Sequence, residues 1–332
     1  MCRAGNLNNT KSVFVWVARS CFNNVFAFDW KLCMRIGIIG YGEVGTIFAA
    51  GLKQSVYSIS AWDTKFSSPD QSIEQRKHAE SNQVYLCQSI QEVAQRADII
   101  FSMVTASNTL AVAQAAAEVI AAGVIFIDLN SASPTTKQQA AICIESAGGS
   151  YIEAGVMTSV PPYGIRVPIL LGGGRSVELS TVLNKLGMDT KSVATDIGTA
   201  SAIKMCRSVM IKGLEALVIE SFTTARHYGV EQHMIATLKE TFPSINWEQQ
   251  SAYFFSRVAQ HGKRRAEEMR EVANTVNEAG FAPLMAAAIA EKDDWMAQHK
   301  QAGTFDAIAA GADWQEFADR LIENNRVGLD SK

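Results

Sequence analysis

The stretch that decides the fold runs from Met34 to Gly51 and reads MRIGIIGYGEVGTIFAAG. It begins with a short β-branched run, Ile36 to Ile39, which is typical of a strand buried on both faces of a parallel sheet. A glycine turn with the pattern G-x-G-x-x-G follows from Gly40 to Gly45, and small and apolar residues then continue at helical spacing to Leu52. The stretch therefore predicts a strand, a tight turn and a helix in succession.

The three glycines of this turn have separate tasks in a nucleotide site. Gly40 permits the tight turn, Gly42 lets the backbone approach a pyrophosphate because it has no Cβ, and Gly45 lets the helix pack closely on the strand. The free N–H groups and the positive dipole end of the helix then face the phosphates. The turn therefore predicts a dinucleotide site, and its candidate contact residues are Gly40, Tyr41, Gly42, Glu43, Val44 and Gly45.

A second predicted strand, Val56 to Trp62, is followed by Asp63. An acidic residue about 20 positions beyond the glycines commonly accepts a hydrogen bond from the adenosine ribose 2′-OH. This favours NAD, because the carboxylate would repel the extra phosphate of NADP. Thr64 and Lys65 follow at once, however, and a lysine there can bind a 2′-phosphate. Both cofactors stay open, with NAD slightly favoured, and Asp63 can also be a simple polar strand end.

The distribution of strands and helices predicts two domains. Strands alternate with helices through residues 34–196, which predicts an α/β domain with a Rossmann-type, doubly wound parallel sheet. No convincing strand follows Gly198, so an all-α C-terminal domain is predicted over residues 197–332. Because its helices have more apolar faces than one sheet domain can cover, we expect the second domain to pair two chains in a homodimer. The second domain is also expected to contribute to substrate binding.

Three segments of this pattern are predicted in more detail. One long helix is expected from Thr199 to Tyr228, and two separate helices are expected over Trp247–Gln260 and Lys263–Glu278. The segment from Glu153 to Gly164 contains two prolines and two glycines and has no strand or helix periodicity. It is therefore predicted to be a loop.

Candidate ligand-binding residues follow two of the central strands. Val104 and Thr105 end the fourth predicted strand and are candidates for cofactor contact. Asn130 and Ser131 follow the fifth predicted strand, Val124 to Asp128. Ligands bind at the carboxyl ends of the strands in open α/β sheets, so Asn130 and Ser131 are candidates for substrate contact, although a simple Asx turn fits them equally well.

Four motifs accumulate along the chain. They are the glycine turn, Asp128-Leu129-Asn130-Ser131 with Ser133-Pro134, the segment from Glu153 to Val160, and Gly198-Thr199-Ala200-Ser201-Ala202-Ile203-Lys204. Together they resemble the β-hydroxyacid dehydrogenase superfamily, which includes 3-hydroxyisobutyrate dehydrogenase and 6-phosphogluconate dehydrogenase. The resemblance runs from Met34 to Gln298 and is closer to the branch whose phosphogluconate dehydrogenase-type C-terminal domain is of unknown function. It implies a nicotinamide cofactor and a small-molecule substrate.

The resemblance also implies roles for particular residues. Lys204 stands at the place of the family's catalytic lysine, and the segment from Glu153 stands at the place of its substrate loop. Two departures are clear: the usual D-A-P-V-S-G-G reads E-A-G-V-M-T-S here, and the family's asparagine four positions after the lysine is Ser208. Both fit the closer branch and give no basis for carrying over a particular substrate. The residues implied for substrate binding are Asn130, Ser131, Met157, Thr158, Ser159 and Ser208.

Lys204 also fits the chemistry that hydride transfer requires. Reduction of a carbonyl leaves negative charge developing on the oxygen, which must receive a proton. Ser201, Lys204, Ser208, Lys212 and Glu215 form one polar stripe of the long predicted helix, which a core helix rarely has. The sequence therefore predicts an NAD(P)-dependent oxidoreductase acting on a hydroxy acid or related alcohol, with Lys204 as general acid/base. The alternatives are an imine reductase-like enzyme and a non-catalytic dinucleotide-binding or redox-sensing protein.

The composition bounds the partners and the compartment. The 332 residues carry a net charge of −3, which gives no electrostatic reason to expect nucleic acid as a partner. No apolar run reaches the length of a membrane span, and the histidines show no metal-ligand spacing, so neither a membrane nor a metal is expected. The six cysteines are scattered without C-x-x-C pairing, which indicates free thiols in a reducing cytoplasm.

Residues 1–33 do not fit the rest of the chain, because a Rossmann chain ordinarily begins a few residues before its first strand. We expect Met34 to be the natural start and residues 1–33 to lie outside the fold. The alternative is a transit peptide to an organelle, since the segment carries Arg3, Lys11 and Arg19 and is poor in acids.

Two adjacent arginines in the predicted helical domain, Arg264 and Arg265, have two interpretations. They can bind a carboxylate or a phosphate, or they can form a solvated basic face with Glu267 and Glu268 as partners. The second interpretation is the simpler one, because charged runs usually face water.

Overall fold

The computed structural model describes residues 34–329, and it divides into two compact units, one ending at Lys204 and one beginning at Met205. The expectations for residues 1–33 lie outside the described range. The first unit contains an eight-stranded, mostly parallel sheet with helices, and the second is all-helical, so the predicted fold class is confirmed. No helix within residues 34–329 is both long and apolar enough to cross a membrane.

The sheet of the first unit has the strand order β3-β2-β1-β4-β5-β6-β7-β8. The strands are β1 (Arg35–Ile39), β2 (Ser58–Trp62), β3 (Val84–Leu86), β4 (Ile99–Ser102), β5 (Ile125–Asp128), β6 (Ser150–Val156), β7 (Pro168–Gly172) and β8 (Asp189–Ala194). The order reverses at β1, whose two neighbours are β2 and β4. The carboxyl ends of these strands are where ligands bind in an open α/β sheet.

One strand pair departs from the predicted parallel sheet. β7 runs antiparallel to β6, whereas every other neighbouring pair in the sheet is parallel. A parallel return needs a crossover of about a dozen residues or more, usually a helix. Residues 157–167 offer only a loop with a single 3-10 turn, Gly164–Arg166, so the chain turns back antiparallel beside β6.

The sequence also predicts a strand from Tyr151 to Ala154, and β6 extends this strand to Val156, so the predicted loop is wrong at Gly155 and Val156. This part of β6 pairs with β7, and Gly155 lies opposite Leu170. Its residues from Glu153 to Gly155 are buried, including the glutamate. The strand therefore lacks the apolar–polar alternation by which a half-buried strand is recognised.

Helices follow most of the strands, and the second unit contains helices alone. The helices are α1 (Glu43–Leu52), α2 (Ile73–Ser81), α3 (Ile90–Arg96), α4 (Thr109–Ala117), α5 (Pro134–Ser146), α6 (Ser176–Lys185), α7 (Thr199–Tyr228), α8 (Glu231–Thr241), α9 (Trp247–Glu278), α10 (Leu284–Gln301) and α11 (Trp314–Leu329). Successive residues of β4 enter different apolar clusters, with Ile99 and Phe101 in one and Ile100 in the other. This alternation indicates that both faces of the sheet are covered.

The two helices predicted on either side of Gly262 are one continuous helix, α9. Gly262 does not interrupt it but lies where α9 meets α10. A Cβ at this position would stand 2.6 Å from the carbonyl oxygen of Asp293 and 3.0 Å from the amide nitrogen of Ala297. The glycine therefore permits close packing of two helices instead of ending one of them.

A group of charged side chains lies among α7, α9 and α10 of the second unit. Four of them, Lys212, Glu215, Arg265 and Asp293, are buried, and Glu268 is partly buried beside them. Lys212 Nζ donates to Glu268 Oε2 at 2.7 Å, and Arg265 forms an ion pair with Glu215. The structure contradicts the simpler interpretation for Arg265, which is 4% exposed and pairs with Glu215 of α7, whereas Arg264 is exposed and pairs with Glu268 as that interpretation expects.

Asp293 is a buried carboxyl of this group, and its pKa is raised. It is 1% exposed, and neither of its carboxyl oxygens accepts a hydrogen bond from a described residue. Burial raises the pKa of Asp293 from 3.8 to about 7, although the positive charges of Arg265 and Lys212 act in the opposite direction.

Asp293→Asn should therefore stabilise the protein more at pH 8 than at pH 5, relative to the wild type. The folded state holds the Asp293 proton more tightly than the unfolded chain, so wild-type stability falls as pH rises from about 4 to about 7. Asparagine has no proton to lose in this window. Urea unfolding at the two pH values measures the difference.

The neighbouring Asp294 provides the control, because it is partly exposed and pairs with Arg270. Asp294→Asn keeps the buried Asp293 carboxyl, so its stability should still fall from pH 5 to pH 8, by somewhat less than in the wild type because the charge of Asp294 helps to raise the pKa of Asp293. A stability difference between wild type and Asp293→Asn that is the same at both pH values would contradict the prediction.

Candidate functional site

The glycine turn between β1 and α1 has the geometry of a phosphate cradle. Gly40 has φ +95°, and a Cβ there would stand 2.4 Å from the carbonyl oxygen of Met103. A Cβ at Gly45 would stand 2.3 Å from the carbonyl oxygen of Gly40. A Cβ at Gly42, in contrast, would meet no protein atom within 4 Å. The fold itself requires Gly40 and Gly45, whereas the open space at Gly42 fits a pyrophosphate at the start of α1.

The other residues of the turn differ in what they present. The side chain of Tyr41 is fully buried, its hydroxyl lies 2.8 Å from Nδ1 of His78, and burial raises the pKa of this phenol. Glu43 is exposed and Val44 is partly buried. Because its buried side chain packs against Phe66 and His78, Tyr41 is expected to contact a cofactor through its backbone.

Asp63 holds the glycine turn against the end of β2. Its Oδ2 accepts a hydrogen bond from the Tyr41 amide at 2.7 Å, and its Oδ1 accepts from the Lys65 amide at 3.0 Å. Each carboxylate oxygen can accept a further bond, so a ribose hydroxyl can still donate to it. Thr64 and Lys65 are exposed beside it. The arrangement is compatible with NAD and with NADP.

Asn130 ties together the carboxyl ends of β4 and β5. Its Oδ1 accepts from the Val104 amide at 2.7 Å, and its Nδ2 donates to Oγ of Ser102 at 3.0 Å. Asn130 is 4% exposed, so its side chain lies inside the protein and connects the ends of the two strands by these hydrogen bonds. Thr105 is exposed one residue beyond Val104, and its Oγ1 accepts from Asn108 at 2.8 Å.

A buried polar network below Asn130 was not predicted from the sequence. Lys137 Nζ donates to the Asp128 carbonyl oxygen at 2.9 Å and lies 2.8 Å from Asp128 Oδ1, while the Tyr151 hydroxyl donates to Asp128 Oδ2 at 2.7 Å. The Asn130 amide also donates to Asp128 Oδ1, at 2.9 Å. Burial, with Asp128 adding to it, raises the pKa of Tyr151 well above its usual range. The network fixes the segment that leads to Ser131.

The structure brings Ser131 and Lys204 together. Lys204 Nζ donates a hydrogen bond to Ser131 Oγ at 2.6 Å, across 73 positions of sequence. Both side chains are partly buried. The strand β6 adjoins them as well, because a Cβ at Gly155 would stand 3.7 Å from the Cβ of Lys204. Three segments that the sequence singled out separately therefore adjoin within the first unit.

The remaining predicted substrate residues have weaker structural support. Met157 and Ser159 are partly buried and Thr158 is exposed, in the segment directly after β6. The Met157 amide donates to the Pro168 carbonyl oxygen at 2.9 Å. Ser208 lies on α7 one turn after Lys204, within the second unit. Their roles stay predictions. Among residues 34–329, no group of three or more His, Cys, Asp or Glu side chains could hold a metal ion.

Two family profiles match the chain. Residues 35–190 match the NAD binding domain of 6-phosphogluconate dehydrogenase, and residues 225–296 match a domain of unknown function (DUF1932). The first match covers β1 through the beginning of β8 and includes the glycine turn. The second lies within the all-helical unit.

Two solved structures are similar over nearly their whole length. A conserved hypothetical protein from Sinorhizobium meliloti 1021 is 36% identical, with 90% of this chain and 98% of that chain covered and a TM-score of 0.69. A conserved protein of unknown function, described as structurally similar to 3-hydroxyacid dehydrogenases, is 28% identical, with 81% and 99% covered and a TM-score of 0.62.

Two characterised relatives match about half of the chain. An NADPH-dependent reductive aminase of Aspergillus oryzae is 28% identical over 50% of this chain and 55% of its own length. A 2-(hydroxymethyl)glutarate dehydrogenase of Eubacterium barkeri is 26% identical over 54% of this chain and 59% of its own length. This chain thus spans little more than half of either enzyme.

Proposed function

Because this chain belongs to the β-hydroxyacid dehydrogenase superfamily, we propose that it is an NAD(P)-dependent dehydrogenase of a hydroxy acid or related alcohol. Its branch of the superfamily combines a 6-phosphogluconate dehydrogenase-type NAD-binding domain with the helical domain of unknown function. The observation that carries the proposal is the 2.6 Å hydrogen bond from Lys204 Nζ to Ser131 Oγ. It supports a proton-transferring amine at the substrate-binding end of a dinucleotide-binding sheet.

Residues of the first unit would hold the cofactor. The open space at Gly42 and the free N–H groups at the start of α1 would bind its pyrophosphate, because the helix dipole favours negative charge there. Val104 and Thr105 continue this surface along the ends of the neighbouring strands. When bound, the nicotinamide supplies or accepts the hydride. Asp63 favours NAD, whereas Lys65 favours NADP. The similarity to a reductive aminase that depends on NADPH supports NADP.

Lys204 moves the proton of the reaction. In reduction its ammonium group protonates the oxygen of the substrate as hydride reaches the carbon, and in oxidation the neutral amine takes the proton from the alcohol. Ser131 Oγ accepts a hydrogen bond from Nζ and directs it. Met157, Thr158 and Ser159 contact the substrate from the segment after β6, and Ser208 does so from the next turn of α7.

Imine reduction is the second candidate function. The similarity to a reductive aminase supports it, and the same Lys204 amine would protonate or orient the nitrogen of the substrate. The departures of the substrate segment, Met157-Thr158-Ser159, favour neither class. The substrate class is therefore decided by assay.

The helical domain, residues 197–332, is proposed to add substrate contacts and to pair two chains. Large apolar side chains stand exposed on it, including Met210 and Leu217 of α7 and Leu284 at the start of α10. Such a surface is common where proteins associate. The homodimer and the cytoplasmic location both stay predictions.

A substrate screen tests the proposal. It combines hydroxy acids, sugar acids and ketone–amine mixtures with NADH, NADPH and their oxidised forms. We expect turnover with one substrate class, measured by the absorbance of the reduced nicotinamide, and loss of that turnover in Lys204→Ala run in parallel. Binding of NAD(P)H without turnover of any class would favour the non-catalytic dinucleotide-binding protein. A preference above about tenfold for NADPH, or about 1.4 kcal/mol, would show that Lys65 outweighs Asp63.

A further inference from the structure

Glu153 of β6 is a fully buried carboxylate. It accepts hydrogen bonds from one short segment of the chain, residues 198–201. The Gly198 and Ala200 amides donate to Oε1 at 2.8 and 2.9 Å. Ser201 donates twice to Oε2, from its amide at 3.1 Å and from its hydroxyl at 2.7 Å. Glu153 is 0% exposed. All four hydrogen bonds come from the turn before α7 and from the first turn of α7.

These bonds satisfy groups that a helix start leaves without partners. The first N–H groups of a helix have no acceptor within it, and its N-terminal end carries a partial positive charge. Most helices use a side chain of their own N-cap residue for this purpose. Here the acceptor belongs to a strand, so the bonds that complete α7 also attach its first turn to β6.

The strands around Glu153 are shaped to admit the carboxylate and the helix. A Cβ at Gly172 of β7 would stand 2.4 Å from Glu153 Oε1. A Cβ at Gly155 would stand 3.0 Å from the Ala200 carbonyl oxygen. The helix start therefore lies directly against β6, and Lys204 follows Ser201 by three residues, on the same side of α7.

We propose that Glu153 is a positioning residue for Lys204: it docks the first turn of α7 on β6 so that Lys204 Nζ reaches Ser131 Oγ. Ser131 is held independently, by the Asp128 network at the end of β5. The two members of the pair are thus anchored to neighbouring strands. The inference rests on the proposed function, because the catalytic role of Lys204 is part of that proposal.

Glu153→Gln tests the inference with little change of shape. The amide nitrogen of glutamine cannot accept hydrogen bonds, so the donors on one side of the carboxylate lose their partner. The measurement is trace acetylation of the full-length protein by acetic anhydride, with each lysine quantified by mass spectrometry. We expect acetylation of Lys204 to rise at least about fivefold, the effect of one lost hydrogen bond, while acetylation of exposed Lys65 stays unchanged.

Amide hydrogen exchange in the same samples gives a second readout. The Gly198, Ala200 and Ser201 amides should exchange faster in Glu153→Gln. Glu92→Gln is the matched control, because Glu92 Oε2 accepts from the Gln88 amide at 2.8 Å just before α3 and far along the chain from Lys204. It should leave both the acetylation of Lys204 and the exchange at α7 unchanged.

Ser201→Ala covers the case in which Glu153→Gln does not fold, because it keeps the carboxylate and its three backbone donors and removes the hydroxyl, which bonds to Glu153 Oε2 and to the Gly198 carbonyl oxygen. Acetylation of Lys204 should rise in this variant too. Unchanged acetylation of Lys204 and unchanged exchange at α7 in a folded variant would overturn the positioning role.

The acetylation experiment does not depend on turnover, so it separates the two proposals. If Lys204→Ala kept its turnover, the proposed catalytic role of Lys204 would fail, and if no substrate class were turned over, the proposed dehydrogenase function would fail. In both cases the acetylation result would still decide whether Glu153 positions Lys204. Where a substrate is known, kcat of Glu153→Gln should fall while KM for the nicotinamide cofactor stays the same. If Glu153→Gln only reduced the amount of folded protein, fewer molecules would be active, but the acetylation of Lys204 in the molecules that do fold would be unchanged.

Discussion

Lys204→Ala should lower kcat by about 10²- to 10⁴-fold, the usual contribution of a positioned general acid. The substitution removes the amine that meets Ser131 Oγ at 2.6 Å and leaves the glycine turn untouched. We therefore expect the variant to fold and to bind NADH or NADPH as the wild type does. Steady-state kinetics with the substrate found in the screen, together with a titration of reduced nucleotide, measures both quantities.

Two further variants sharpen this prediction. Lys204→Arg should restore little activity, because a guanidinium group cannot exchange a proton near neutrality. Lys77→Ala removes an exposed lysine of α2 and should leave kcat unchanged. A Lys204→Ala enzyme with wild-type kcat would remove the lysine from the mechanism and leave the proton donor to be found elsewhere.

Gly42→Val should weaken the binding of NADH and NADPH by at least about 100-fold, equivalent to about 2.7 kcal/mol. The added side chain enters the space that the pyrophosphate needs. The protein has room for the added side chain, because a Cβ at Gly42 meets no atom within 4 Å. The backbone there has φ −85° and ψ −153°, just beyond the extended range, so valine requires a small change of ψ. Nucleotide titration followed by intrinsic fluorescence or calorimetry measures the affinity, and circular dichroism checks the fold.

The choice of glycine matters for this experiment. Valine at Gly40 or Gly45 would collide with backbone atoms, so a loss of binding there would report misfolding as well as a blocked site. Gly174→Val is the matched control, since a Cβ at Gly174 also meets nothing within 4 Å and lies outside the glycine turn. Unchanged nucleotide affinity in folded Gly42→Val would rule out pyrophosphate binding at this turn.

Local sequence patterns determined the fold class and most of the helices and strands. The sequence predicted the first strand, the glycine turn and the helix after it, because each of them depends on residues only a few positions apart. The long helix Thr199–Tyr228 has the predicted bounds. Ser133 caps α5 and Pro134 is its first residue, which is a common local pattern at a helix start. Capping and periodicity act over one or two turns, so they can be seen in the sequence.

Tertiary packing decided the features that contradict the prediction. Gly262 looked like a boundary between helices and is instead a contact between α9 and α10. Arg265 looked like part of a solvated face and is buried against Glu215 of α7. In both cases the partner lies on another helix, and local periodicity does not identify it.

The candidate site divides in the same way. The sequence alone identified the glycine turn, Ser131 and Lys204 by their patterns and by family resemblance. It placed Asp128 and Glu153 in motifs but did not predict their buried contacts, which Asp128 makes with Lys137 and Tyr151 and Glu153 makes with the start of α7. Glu153 binds a helix start 45 positions away, and Lys204 reaches Ser131 across 73. Only the folded sheet brings these groups within hydrogen-bonding distance, because burial forces each of them to find a partner.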